Sequence, residues 1–138
     1  MRNRALLLLP VLAVAAAGCG SSSNDTKTTS AAKATDVKLS EWKLAPSATT
    51  VAAGKVRISA ANDGKTTHEM VVLRTDKPAA SLGSGKRVSE AGSVGEISDL
   101  KAGASASKTF DLSPGHYVVI CNLPGHYAAG MRADLTVR

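Results

Sequence analysis

Apolar positions along this chain recur in short runs with a period of two, the spacing of strands that bury one face. Lys55-Val56-Arg57-Ile58-Ser59-Ala60 alternates cleanly and stops at Asn62-Asp63-Gly64, a strong turn signal. Val37 to Leu44 alternates less regularly and precedes Pro46. Val94 to Leu100 and Ser105 to Leu112 are further strand-like runs, and Ser113-Pro114-Gly115 turns the chain into His116-Tyr117-Val118-Val119-Ile120-Cys121. The last run, Met131 to Val137, puts Ala133, Leu135 and Val137 on one face. Met70-Val71-Val72-Leu73 is continuously apolar, which predicts a strand buried on both faces or set in a sandwich core. No segment carries a long helical period. Arg74 to Gly92, rich in Gly, Ser, Lys and Pro, reads as a long crossover with one helical turn near Pro78 to Leu82. Short strands separated by turn signals predict an all-β fold, an antiparallel β-sandwich.

The first residues follow a different pattern. Arg2 and Arg4 precede the apolar stretch Ala5 to Ala17, which Pro10 interrupts, and small residues lead to Cys19. This is the layout of a secretory signal peptide over 1–18, too short to span a bilayer comfortably. Ala16-Ala17-Gly18-Cys19 resembles a bacterial lipoprotein lipobox, which implies acylation of Cys19. The plainer alternative is an ordinary cleaved signal that leaves Cys19 as a spare thiol. Residues 19–35 hold no aliphatic side chain larger than Ala and no periodicity, the composition of a flexible tether. Residues 36–138 are then one small domain.

Charge and cysteine content narrow the function. The net charge is +6; without Arg2 and Arg4 it is +4, with 15 basic against 11 acidic residues. The basic residues are scattered, so no nucleic-acid footprint is present, while an acidic protein partner or anionic lipid remains compatible. Cys19 and Cys121 are the two cysteines. With Cys19 acylated or removed, Cys121 has no disulfide partner in an oxidising compartment, and metal ligation gives a lone thiol a reason to be there.

Cys121-Asn122-Leu123-Pro124-Gly125-His126-Tyr127-Ala128-Ala129-Gly130-Met131 sets a thiolate, an imidazole and a thioether on one loop, spaced Cys-x4-His-x4-Met. Pro124-Gly125 and Gly130 supply bends that return these side chains toward a common point. A second imidazole, His68, opens the apolar strand after the turn at Asn62 to Lys65. Two His and one Cys with a weak Met make a blue-copper donor set; zinc would require a stronger fourth donor than Met. Each residue alone has a blander reading: His68 as a half-buried strand residue, Met131 as core, Cys121 as an inert thiol. His116 lies five residues before Cys121, so strand parity puts it on the opposite face, as a surface histidine. Trp42 and Tyr117 read as core or sheet-packing aromatics, and Tyr127 as part of the frame around His126. A Cys121–His126 nucleophile pair is the enzymatic alternative, but no orienting third residue accompanies it and Met131 goes unexplained. A non-enzymatic role is therefore expected.

The Cys121 to Met131 loop resembles the copper loop of the cupredoxins, the small blue copper proteins, with rusticyanin- and sulfocyanin-like spacing. Thr67-His68-Glu69-Met70-Val71-Val72 is similar to their upstream ligand strand. The resemblance implies a Greek-key β-sandwich of seven to eight strands holding one copper ion, with His68, Cys121 and His126 as strong ligands and Met131 as the axial one. Many members carry Asn directly after the first His, bracing the Cys loop; this chain departs with Glu69, which leaves that brace and the reduction potential open, with direct ligation by the carboxylate and a red site as the alternative. The implied use is electron transfer with exported or respiratory redox partners, by a monomer anchored at the outer face of the cytoplasmic membrane. His126 is then expected at the surface, ringed by Leu123, Pro124, Ala128 and Ala129. The alternative use is a copper chaperone or buffer that delivers the ion to an oxidase.

Overall fold

The computed structural model describes residues 31–138. The expected signal segment and Cys19 lie outside the described residues.

The strands form two sheets packed face to face. One sheet contains β1 (Ala34–Ser40), β2 (Lys43–Pro46), β4 (Gly54–Asn62) and β7 (Ser105–Leu112), in the order β2-β1-β4-β7. The other contains β3 (Thr50–Val51), β5 (His68–Arg74), β6 (Ser93–Leu100), β8 (Gly115–Ile120) and β9 (Arg132–Val137), in the order β3-β9-β8-β5-β6. The all-β sandwich is as expected. The nine strands exceed the expected seven to eight because the Val37–Leu44 run is two strands and because β3 is a two-residue bridge. Leu39 and Leu44 are five positions apart, so one unbroken strand would place them on opposite faces. The chain instead reverses at Glu41-Trp42, and Leu39 pairs with Leu44 across an antiparallel hairpin, both buried. The sandwich is not purely antiparallel: β1 runs parallel to β4, and β3 parallel to β9. Pairing also begins ahead of residue 36, since β1 starts at Ala34 and Ala32 bridges Val51.

Alternate positions of both sheets fill the space between them. Val37 and Leu39 of β1, Val56 and Ile58 of β4, and Phe110 and Leu112 of β7 meet Met70 and Val72 of β5, Tyr117 and Val119 of β8, and Leu135 and Val137 of β9. Each such aliphatic side chain contributes roughly 1.5–3 kcal/mol by leaving water. With one Phe and one Trp in the chain, and the Trp exposed, this work falls to branched aliphatics.

β5 is buried on both faces, as the Met70–Leu73 run predicts, and β8 is buried likewise from Tyr117 to Ile120. Their outer residues Val71, Leu73, Val118 and Ile120 form a second cluster with Ala79, Val88 and Tyr127. The cover is the crossover between β5 and β6, whose one helical turn is a 3-10 turn at Ala79–Ser81. Tyr127 pins it: its hydroxyl donates to Ala79 O at 2.6 Å and accepts the Leu82 N–H at 3.1 Å. His116 ties the start of the crossover to β9, with Nδ1 2.6 Å from Thr75 O and Nε2 2.9 Å from Asp134 Oδ1. It is half-buried on the outer face, as parity predicts, and takes no part in the donor cluster described below.

Candidate metal centre

Three elements deliver the donors. His68 is the first residue of β5, and Cys121 directly follows β8. His126 opens α1 (His126–Ala129), a single helical turn between Gly125 and Gly130. Both glycines have left-handed φ, +87° and +127°, which other residues adopt only at a cost. These are the bends expected from the sequence, and they reverse the chain within ten residues. The backbone then closes on itself: Cys121 N–H donates to Met131 O at 3.0 Å, and Met131 N–H to His126 O at 3.1 Å.

The donor atoms form a compact triangle. His68 Nδ1 and His126 Nδ1 are 3.2 Å apart, and Cys121 Sγ lies 3.3 Å from His126 Nδ1 and 4.0 Å from His68 Nδ1. Donors about 2.0–2.3 Å from one shared ion stand at separations of this order. His68 and Cys121 are fully buried and His126 is half-buried, so the ion's position is enclosed while one ligand reaches the surface. Two imidazoles and a thiolate suit copper in both of its common oxidation states. Met131 is also fully buried, beside Cys121 through the main-chain bond above.

Burial pushes the Cys121 thiol above its ordinary value, opposed by the N–H groups of Glu69 and Leu123. The Glu69 N–H points at the sulfur from 3.4 Å. Burial, then the charge of His68, pushes His126 down. Neutral imidazole is the metal-binding form, so the second shift favours ligation. A cation at the triangle opposes the first, because a coordinated thiol is held as thiolate.

Glu69 braces the loop rather than joining the donors. Its Oε1 accepts the Asn122 N–H at 3.1 Å, while Arg87 Nη1 stands 3.9 Å from the same oxygen. Burial, with Glu96 and Glu90 nearby, raises the Glu69 carboxyl, and Arg87 lowers it. The carboxylate is not a member of the donor cluster. Asn122 adds a brace of its own. Its Oδ1 accepts the Val88 N–H at 2.8 Å and its Nδ2 donates to Val88 O at 3.0 Å, which fastens the crossover to the ligand loop.

Two residues of the centre were not read as such from the sequence. Trp42, expected in the core or a sheet face, is 48% exposed and stands edge-on to His126, ring centroids 4.9 Å apart. A Cβ at Gly130 would lie 3.0 Å from Trp42 O, so the β1–β2 turn also presses on the ligand loop. Glu41, its neighbour, reaches His68: Oε1 is 3.3 Å from Nε2. The broken alternation between Leu39 and Leu44 signals the turn, but nothing local signals its contact with ligands far along the chain.

Comparison with known proteins agrees with this centre. Auracyanin-B of Chloroflexus aurantiacus is 56% identical over 39 residues, which are 28% of this chain and 17% of that protein. The structure of auracyanin from Roseiflexus castenholzii superposes with a TM-score of 0.61 at 24% identity, covering 78% of this chain and 98% of that one. Rusticyanin from Thiobacillus ferrooxidans superposes with a TM-score of 0.57 at 16% identity, covering 76% of each chain. Residues 25–138 match the family model for copper binding proteins of the plastocyanin/azurin family. With His68, Cys121 and His126 converging on a position for one copper ion, the chain belongs to the plastocyanin/azurin family of copper-binding proteins.

Proposed function

We propose that this protein is a type 1 (blue) copper electron carrier, with Met131 as the axial ligand to the His68–Cys121–His126 set. The observation that carries the reading is the asymmetric burial of the donors: two fully enclosed, and the third, His126, half-exposed under Trp42. Bound there, copper supplies one-electron exchange between Cu(I) and Cu(II). The chain holds the donors still while the electron moves. Glu69 and Asn122 fix the Cys121 loop, and the fully buried His68 and Met131 have little room to shift. Little reorganisation then accompanies each transfer. The half-exposed His126 is the electron's exit, and Leu123, Pro124, Ala128 and Ala129 on the same loop, with Trp42, form a small apolar docking face. Weak redox encounters typically bury less than about 1,200 Å², which a face of this kind supplies.

Exposed basic residues lie on the segments that adjoin that face: Lys43 follows Trp42, the Lys65 main chain bonds Glu41, the Lys86 main chain accepts the Gly125 N–H, and the Arg87 guanidinium donates to Asn122 O. The matching partner is a redox protein with acidic groups around its own port. The signal-like segment and Cys19 support an exported protein tethered by lipid to the outer face of the cytoplasmic membrane.

The copper-loaded domain is predicted to show an intense thiolate-to-copper visible band that Cys121→Ser abolishes. Copper uptake by the parent without that band would refute the blue-site reading. A Cys19→Ala variant is predicted to leave the membrane fraction; recovery there in parental amounts refutes the anchor.

A further inference from the structure

His68 Nε2 is the buried side-chain nitrogen or oxygen that has no hydrogen-bond partner among the described residues. With Nδ1 turned into the donor triangle, a neutral His68 that ligates through Nδ1 carries its proton on Nε2. That N–H needs an acceptor, because a buried donor left unpaired is costly. The nearest acidic oxygen is Glu41 Oε1, 3.3 Å away, at ion-pair distance but outside hydrogen-bond alignment.

The position of Glu41 is built rather than incidental. Its carboxylate accepts the N–H groups of Lys65 and Thr66 at 2.9 and 2.8 Å and the Thr66 hydroxyl at 2.8 Å. These bonds lash the β1–β2 turn to the segment that leads into His68. A Cβ at Gly64 would lie 2.7 Å from either carboxylate oxygen, so only glycine leaves room for the carboxylate there. The turn therefore aims an anionic group at the outer nitrogen of one ligand, while Trp42, the next residue, packs against the other histidine.

We propose that Glu41 is a positioning residue for the copper centre, completing a carboxylate–histidine–metal relay through His68 Nε2. Such partners orient a ligating imidazole and raise its basicity. A full negative charge at that nitrogen favours Cu(II) over Cu(I), so Glu41 lowers the reduction potential. The inference rests on copper ligation by His68 and holds whether the centre carries electrons or stores copper.

The test compares copper-loaded parent with Glu41→Gln, Glu41→Ala and Thr66→Val. Gln preserves an acceptor for the Lys65 and Thr66 N–H groups and removes the charge. Thr66→Val removes the hydroxyl bond to Glu41 and leaves the charge. The ratio of Cu(II) to Cu(I) affinities is expected to fall about ten-fold in Glu41→Gln, a rise of ~59 mV in potential, and at least as far in Glu41→Ala. Thr66→Val should stay near the parent. A Glu41→Gln potential equal to the parent's overturns the proposal. So does an equal shift in Thr66→Val, which would assign the effect to loop order rather than charge. Because the readout is a ratio of affinities, it is obtained whether or not the thiolate band appears, so failure here is distinct from failure of the blue-site reading.

Discussion

The side chain of Asn122 faces Val88 with both of its ends and also donates to Glu90 Oε1 at 2.6 Å. Its own N–H is taken by Glu69 and its carbonyl by Arg87. Asn122→Ala leaves the Val88 N–H and C=O without these partners in a buried setting. At about 1–3 kcal/mol for an orphaned buried group, the variant should lose roughly 2–4 kcal/mol of stability in urea unfolding. A loss under ~0.5 kcal/mol would mean that the crossover is held elsewhere. Glu41 makes a prediction in acid. The Thr66 N–H, then the Thr66 hydroxyl, with the Lys65 N–H, hold its carboxyl at about 2, below the ordinary 4.5. A depressed folded-state value stabilises the fold above the unfolded value, and this stabilisation is lost as pH falls from about 4.5 toward 2. The metal-free parent should therefore lose more stability than Glu41→Gln across that interval. The difference is modest because the carboxylate faces solvent. Equal losses in thermal unfolding at the two pH values would contradict the assignment.

At the scale of elements, the crossover between β5 and β6 makes β5 and β8 interior strands. It lays Ala79 and Val88 on Val71, Leu73, Val118 and Ile120, and Tyr127 of α1 anchors it. Tyr127→Phe keeps the ring and deletes the hydroxyl bonds. It should cost roughly 1–2 kcal/mol and speed amide exchange at Leu82, whose N–H loses its acceptor. Unchanged exchange at Leu82 would show that the hydroxyl does not hold the crossover. The strands themselves were legible. Alternation in β4 and the unbroken run in β5 report local burial, which a period of two or its absence records directly. The neighbours of each strand were not. β1 pairs in parallel with β4 although a hairpin and β3 separate them in sequence, and nothing along β1 names that partner. Trp42 misled for the same reason: large aromatics are usually buried, but a turn can spend one on a ligand.

For the molecule as a whole, the exit proposed at half-exposed His126 and Trp42 has the exposed Lys43, Lys65, Lys86 and Arg87 on adjoining segments. Oxidation of the reduced protein by an anionic complex such as ferricyanide should slow as salt rises from about 0.01 to about 0.1 M. Over that range the screening length contracts from ~30 to ~10 Å. A rate independent of salt would remove the basic rim from the docking model. The loop from Cys121 to Met131 announced its chemistry in the sequence because three soft or borderline donors and their bends sit within eleven residues. Local order was enough to imply convergence, and strand periodicity was enough to imply a β-sandwich. Only the tertiary structure brought His68 to within 3.2 Å of His126, turned Glu69 to the Asn122 amide, and set Glu41 and Trp42 against the two histidines. Those contacts join residues tens of positions apart. They depend on how two sheets pack and which strands pair, and hydrophobic periodicity reports burial, not the neighbour that supplies it.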